Sequence, residues 1–288
     1  MGMTRARTTT ILLAALLAAT IAGCAPQPDP AATGGGAAAD CAPGALPTLA
    51  QGTLTIGTDQ PVYPPWYLDD DPTSGRGFES AVAYAVADDL GYPRDRVTWV
   101  RVPFNAAIAP GPKTYDLNLT EFSITEERRR AVDFSSPYYD VRQAVVALKT
   151  SPLARSTTVA QLKGARLGAQ IGTTSLEQLN ASVAPTTPAA VYNTNDDGKL
   201  ALSNGQIDGL VVDLPTAFQI VGSDLPEATI VGQLPAGWTP EQFGAVLDKD
   251  SPLTGCVSAA VDRLRERGTL AALEQQWIQA DGAAPELR

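Results

Sequence analysis

The 288-residue chain has no histidine, three cysteines and two methionines. Without histidine it lacks the commonest zinc ligand and the usual general base of a hydrolytic triad, and Cys24, Cys41 and Cys256 have none of the close spacings of a metal site. A conventional zinc or triad enzyme is thereby disfavoured, and neither metal nor cofactor is expected. Positive charge is also short: 21 Lys and Arg face 31 Asp and Glu, a formal net charge of -10. An acidic surface disfavours nucleic acid as a partner. The same acidity serves plain solubility, so it excludes partners better than it names one.

Long apolar runs are missing too. Residues 11–19 form an apolar stretch too short for a comfortable membrane span, preceded by Arg5 and Arg7 and closed by Ile21-Ala22-Gly23-Cys24. That is the pattern of an export signal, with small residues where a peptidase must cut. Residues 1–23 read as a signal peptide. The tetrapeptide resembles a bacterial lipobox, which implies diacylglycerol on Cys24 and an anchor at the outer face of the cytoplasmic membrane. An ordinary cleaved signal with an incidental cysteine is the competing account. Residues 24–45 are mostly proline, glycine and alanine, with little to bury against the entropy of ordering, and read as a flexible tether. With Cys24 assigned to lipid, Cys41 and Cys256 remain in a chain bound for an oxidising exterior, and a disulfide between them is predicted. Two unrelated buried thiols are the alternative.

Leu54-Thr55-Ile56 is a short strand ended by Gly57. Residues 58–66 hold too much proline for a helix or a central strand, and form a loop bearing Tyr63 and Trp66. A helix over residues 78–90 places Phe78, Val82, Ala85, Val86 and Leu90 on one face and stops at Gly91. Strands follow over residues 97–102 and 115–120. Strands alternating with helices predict an α/β architecture with crossover units.

Residues 116–139 carry the most specific pattern. Thr125 is a good N-cap, and Glu126 and Glu127 offset the positive helix end, whereas Arg128 beside them opposes it. A guanidinium aimed at a carboxylate in two parallel hydrogen bonds, helped by the Ser123 and Thr125 hydroxyls, would justify that placement. On these residues alone the simpler account is a solvated basic face, with Arg128, Arg129 and Arg130 paired to neighbouring acids.

With Gly77-Phe78-Glu79 upstream, the run Ser-Ile-Thr-Glu-Glu-Arg at 123–128 and Val-Asp-Phe-Ser-Ser-Pro-Tyr at 132–138 resembles the signature of the family 3 extracellular solute-binding proteins, the polar amino-acid receptors of ABC importers. The likeness continues through residues 167–176, 205–213 and 264–277, and so covers nearly all of 54–278. It implies an α/β, two-lobed periplasmic-binding-protein fold with two crossover strands at the hinge, for which residues 143–149 and 242–247 are suitable. Lobe one would be discontinuous, residues 46–142 and 248–288, and lobe two would be residues 143–247 with hinge strands at both ends. Cys41 and Cys256 would then serve the same lobe. The implied function is the extracytoplasmic, monomeric substrate-binding component of an ABC importer, which takes an amino acid or similar small zwitterion and delivers it to a permease.

Matched residue by residue, Arg128 falls on the family arginine that grips the ligand α-carboxylate, and Ser123 on a donor beside it. Gly172-Thr173-Thr174 matches the turn that opens a helix towards the same carboxylate. Asp213, after the apolar strand 207–212, matches the acid that receives the α-ammonium group. A zwitterion would reach both charges only with the lobes closed, which is what shifts the population. Tyr63 and Phe104 match aromatic walls, with Trp66 and Asp59 counted beside them. One extra residue after Asp59 departs from the family pattern and disturbs the register of Tyr63 and Trp66. Glu121 stands where relatives usually carry a small residue, near the ligand amine. An added carboxylate there invites a ligand with a further cationic group, such as a basic amino acid, an amino-sugar or a betaine-like compound. The simpler account is a surface glutamate paired with an arginine. Two other classes share the fold: a dehydratase acting on cyclohexadienyl substrates, with Glu121 as general acid, and a ligand-sensing module of a signalling system.

Overall fold

The computed structural model describes residues 41–237, 240–278 and 284–288; the expected signal peptide and Cys24 lie outside the described residues. In chain order the elements are β1 (Leu54–Thr58), α1 (Phe78–Asp89), β2 (Val97–Arg101), α2 (Phe104–Ala107), β3 (Leu117–Asn118), α3 (Glu126–Arg129), β4 (Asp133–Phe134), β5 (Tyr139–Val141) and β6 (Gln143–Leu148). Then come β7 (Leu167–Gln170), α4 (Thr174–Gln178), β8 (Ala190–Tyr192), α5 (Asn195–Ser203), β9 (Gly209–Asp213), α6 (Leu214–Gln219), β10 (Ala228–Gln233), β11 (Glu241–Phe243), β12 (Val246–Leu247), α7 (Thr254–Glu266) and α8 (Thr269–Trp277).

Two five-stranded sheets organise these elements into two lobes. The first has the order β2-β1-β3-β12-β4 and the second β10-β6-β9-β7-β8. β1 runs parallel to β2 and β3, while β12 lies antiparallel between β3 and the edge strand β4. Such parallel strands are covered on both faces, and all five residues of β1 are buried accordingly. α1 packs Val82, Ala83 and Val86 into the first core, where Val257 and Val261 of α7 meet them. Its entry is held by Gly77, at φ 100°, where an added Cβ would lie 2.4 Å from the Trp66 carbonyl oxygen.

The change of lobe falls one segment earlier than residues 143–149. Gln143–Leu148 is an interior strand of the second sheet, between β10 and β9, with five of its six positions buried. The crossings are β5 and β11, which pair antiparallel as a two-stranded ribbon between the sheets, with Phe243 opposite Tyr139. Apolar alternation signals a strand without saying which sheet accepts it.

Both chain ends depart from the expected boundaries. Residues 41–45 belong to the fold rather than to the tether: the Gly44 N–H donates to the Leu90 carbonyl at 2.9 Å. Residues 284–288 leave the first lobe and dock on the second, where the Gln233 N–H donates to Pro285 O at 2.7 Å and the Leu287 N–H to Gln233 O at 2.9 Å. Leu287 is 1% exposed and shares a core with Val231 and Leu234. β10 is an edge strand, and its unpaired backbone groups give that tail a place to bond. Among the described residues no helix is long and apolar enough to cross a membrane.

Cys41 and Cys256 are joined as a disulfide with Cα atoms 5.5 Å apart, across 215 residues of sequence, so that the N-terminal arm is fastened to α7. Closing so long a loop restricts the unfolded chain. The variant Cys41→Ser/Cys256→Ser should lose about 2–5 kcal/mol of unfolding free energy in denaturant titration.

Candidate functional site

The cleft is built from the loops that leave the C-terminal ends of strands in both sheets. From the first sheet, β3 ends at Asn118 and the chain runs through Thr120 to Glu121, which adopts a left-handed φ of 53°. The Glu121 N–H donates to Glu79 Oε1 at 2.6 Å, and Thr216 lies beside its carboxyl. Thr125 caps α3 by accepting from the Arg128 N–H at 3.1 Å, as its sequence position predicts. Arg128 is 7% exposed. Its Nη1 donates to Ser123 O at 2.7 Å and its Nη2 crosses to Gly172 O of the second lobe at 2.9 Å. The guanidinium carbon lies 5.6 Å from the centre of the Phe104 ring, which stacks on Phe122.

From the second sheet, β7 leads into Gly172, at φ 75°, whose missing Cβ lets Asn105 of α2 approach to 2.1 Å from where that atom would stand. Thr173 caps α4 through the Leu176 N–H at 3.3 Å. Asp213 ends β9 and accepts from Gln143 Nε2 at 2.6 Å. That amide also lies 3.2 Å from each oxygen of Glu241, while its carbonyl accepts from Ser175 Oγ at 2.6 Å.

A pocket opens between these walls. Asp59, Tyr63, Phe104, Glu121, Arg128, Thr173, Thr174 and Asp213 all line it. The carboxylates outnumber the one guanidinium, and burial sets their ionisation. Asp213 is pushed up to about 8, first by desolvation and then by the nearby Glu241 charge. Glu121 is raised well above the ordinary carboxylate range by burial and by Glu79. Glu79, beneath it, is raised to about 7 by burial against the opposing Tyr138 hydroxyl bond. Asp59 is raised mainly by desolvation. Burial lowers Arg128, and Glu177, Glu241 and Asp213 oppose that shift.

Three expected residues stand elsewhere. Trp66 is no wall of the cleft: it is 0% exposed and lies edge-on to Phe78, Tyr139 and Phe243, with its Nε1 donating to Thr216 Oγ1 at 3.0 Å. Its large ring fills the core beside the crossing strands, which the Pro-Pro-Trp sequence does not reveal. Ser123 is 1% exposed, with its hydroxyl turned to Glu241 at 2.6 Å. Gly172 contributes its carbonyl to Arg128 from outside the cavity wall. Glu121 is not the arginine-paired surface glutamate of the simpler account, for it faces the cavity with Glu79 and Thr216 as neighbours.

Glu79, Gln143 and Glu241 were not among the site residues expected from the sequence. Glu79 had a signal, a charge on the same helical face as Val82, Ala83 and Val86, all buried. Glu241 had none.

Residues 54–280 match the family described as bacterial extracellular solute-binding proteins, family 3. The L-arginine-binding protein of Pseudomonas aeruginosa is 27% identical over 260 residues, covering 83% of this chain and 95% of its own. The L-cystine-binding protein TcyJ of Escherichia coli is 26% identical, covering 80% of this chain and 84% of its own. Among solved structures, an ancestral arginine-binding protein bound to arginine aligns with a TM-score of 0.66 and 29% identity, over 78% of this chain and 97% of its own. An ancestral amino-acid-binding protein, described as a precursor of cyclohexadienyl dehydratase, aligns at 0.65 and 26%, over 79% and 95%.

The raised carboxyls give the fold a direction of pH dependence. Asp213 and Glu79 bind protons more tightly folded than unfolded, so their contribution to stability is complete in acid and is lost as pH rises through about 7 to 8. Thermal unfolding should therefore show a midpoint that falls between pH about 5 and about 9, with a shallower fall in Asp213→Asn.

Proposed function

Since the chain belongs to the bacterial extracellular solute-binding proteins, family 3, we propose that it is a lipid-anchored receptor that captures an amino acid with an added positive charge between its lobes and delivers it to an ABC permease. The observation that carries this reading is the charge of the cleft. A neutral amino acid brings one carboxylate and one ammonium, which Arg128 and Asp213 would match. Asp59 and Glu121 then leave two carboxyls on the wall, Glu121 on the first lobe facing Asp213 on the second. A cationic side chain between Tyr63 and Phe104 answers them. The relatives named for L-arginine agree with this choice, while the relative named for L-cystine marks the neutral alternative.

In this reading Arg128 grips the α-carboxylate with Thr173 and Thr174 of the turn that opens α4 and with the Ser123 hydroxyl once it leaves Glu241, and Asp213 receives the α-ammonium. One lobe is the first sheet with α7 and α8, and the other is the second sheet. The protein acts as a monomer, exported by the N-terminal signal and held at the outer face of the cytoplasmic membrane through Cys24. It is a receptor and not a catalyst. The Glu121 carboxyl, raised by burial, would suit a general acid, but the dehydratase-related neighbour is itself named as an amino-acid-binding protein.

Calorimetry with L-arginine, and mass spectrometry of ligand retained on purification, test the proposal. Arg128→Ala and Asp213→Ala should each weaken binding by about 100-fold or more while the circular dichroism is unchanged, because each strips one partner from a buried charge pair. Unchanged affinity in either refutes that residue's role. Glu121→Ala should weaken arginine more than glutamine, and an equal change disposes of the added-cation reading. Cys24→Ala should move the protein from the membrane fraction to the soluble one.

A further inference from the structure

The hydroxyls that a ligand carboxylate would use already hold a carboxylate. Glu241 opens β11, one of the two crossing strands, and its side chain reaches Ser123 and Thr174. Its Oε1 accepts from Ser123 Oγ of the first lobe at 2.6 Å and from Thr174 Oγ1 of the second at 2.5 Å. Those two hydroxyls are themselves 3.0 Å apart, and Gln143 Nε2 approaches both carboxylate oxygens. Arg128 lies within electrostatic reach of the same carboxylate, though its own Nη atoms donate to backbone carbonyls. The arrangement of two hydroxyls at the mouth of α4 with a guanidinium behind them is the one assigned above to the α-carboxylate of the ligand.

We propose that Glu241 is a resident carboxylate that occupies the Ser123 and Thr174 hydroxyls, so that a ligand carboxylate must displace it, and that Glu241 thereby sets how strongly the cleft distinguishes carboxylate-bearing ligands from the corresponding amines. The proposal rests on the cationic-ligand reading of the same cleft. Each hydroxyl has one proton to give, and a proton given to Glu241 is withheld from the ligand. A second carboxylate beside Glu241 is also repelled by it. An amine without a carboxylate meets neither obstacle and keeps the attraction of the acidic walls. Because Ser123 and Thr174 sit on different lobes, the same bonds bridge the lobes.

The test compares L-arginine with agmatine, its decarboxylated counterpart, on the purified wild type, Glu241→Ala and Glu241→Gln by calorimetry. Removing the resident carboxylate should raise the ratio of arginine to agmatine affinity by about tenfold or more in Glu241→Ala, and in the same direction in Glu241→Gln. A ratio unchanged or lowered in both variants overturns the proposal. Small-angle scattering of the ligand-free proteins supplies a second readout. A larger radius of gyration in Glu241→Ala than in wild type is expected from the lost bridge, and equal radii overturn it. Should neither compound bind any of the three proteins, the cationic-ligand reading is what fails, and the scattering comparison still decides the role of Glu241.

Discussion

A guanidinium buried between two lobes must be neutralised and hydrogen-bonded at once, and Arg128 meets both demands with partners drawn from each side. Its two terminal nitrogens donate to Ser123 O on the first lobe and Gly172 O on the second. Glu177 and Glu241 supply the nearest compensating negative charge. Charges taken out of water are costly unless paired in this way. The approach of α2 to Gly172, the capping of α3 by Thr125 and the position of Phe104 against the guanidinium all serve the same placement.

The opposite charge is in excess, and the protein manages it by protonation and by hydrogen bonds rather than by more cations. Asp213 shares Gln143 with Glu241, and Glu79 is covered by the Tyr138 hydroxyl and the Glu121 N–H. Burial holds protons on Asp213 and Glu79 near neutral pH. A bound cation can restore their charge, so ligand capture and proton release are linked. Thr216 ties this acid cluster to the hinge: it takes the Trp66 indole N–H and lies beside the Glu121 carboxyl. The aromatic core at the crossing strands and the cleft wall thus meet at one hydroxyl.

The legible parts of the fold were those with local signatures. The α1 stripe and its stop at Gly91 gave the helix within one residue, because burial of a periodic face is written in the spacing of apolar side chains. The Thr125 cap was legible for the same local reason. The disulfide followed from counting, since two cysteines remained once Cys24 was assigned to lipid. Pro64-Pro65-Trp66 misled, because a proline-rich loop shows that an aromatic leaves regular structure without showing whether it turns to a cleft or to a core. β6 misled likewise: a run of buried apolar residues suits a crossing strand and an interior strand equally.

Sequence by itself determined the chemistry available: no histidine, one lipobox-like cysteine, an arginine against its helix dipole and an acid at the end of an apolar strand. These are properties of residues and their near neighbours, where spacing carries the information. Only the tertiary structure decided which charges share a space. Glu79, Glu121, Asp213 and Glu241 come from four separate segments of the chain, and their crowding exists only after both sheets form and the crossing strands bring the lobes together. The tail at 284–288 obeyed the same logic, since its place on β10 depends on an edge that no local pattern announces. Hydrogen bonds and Coulomb interactions act through space, and the sequence does not state those distances.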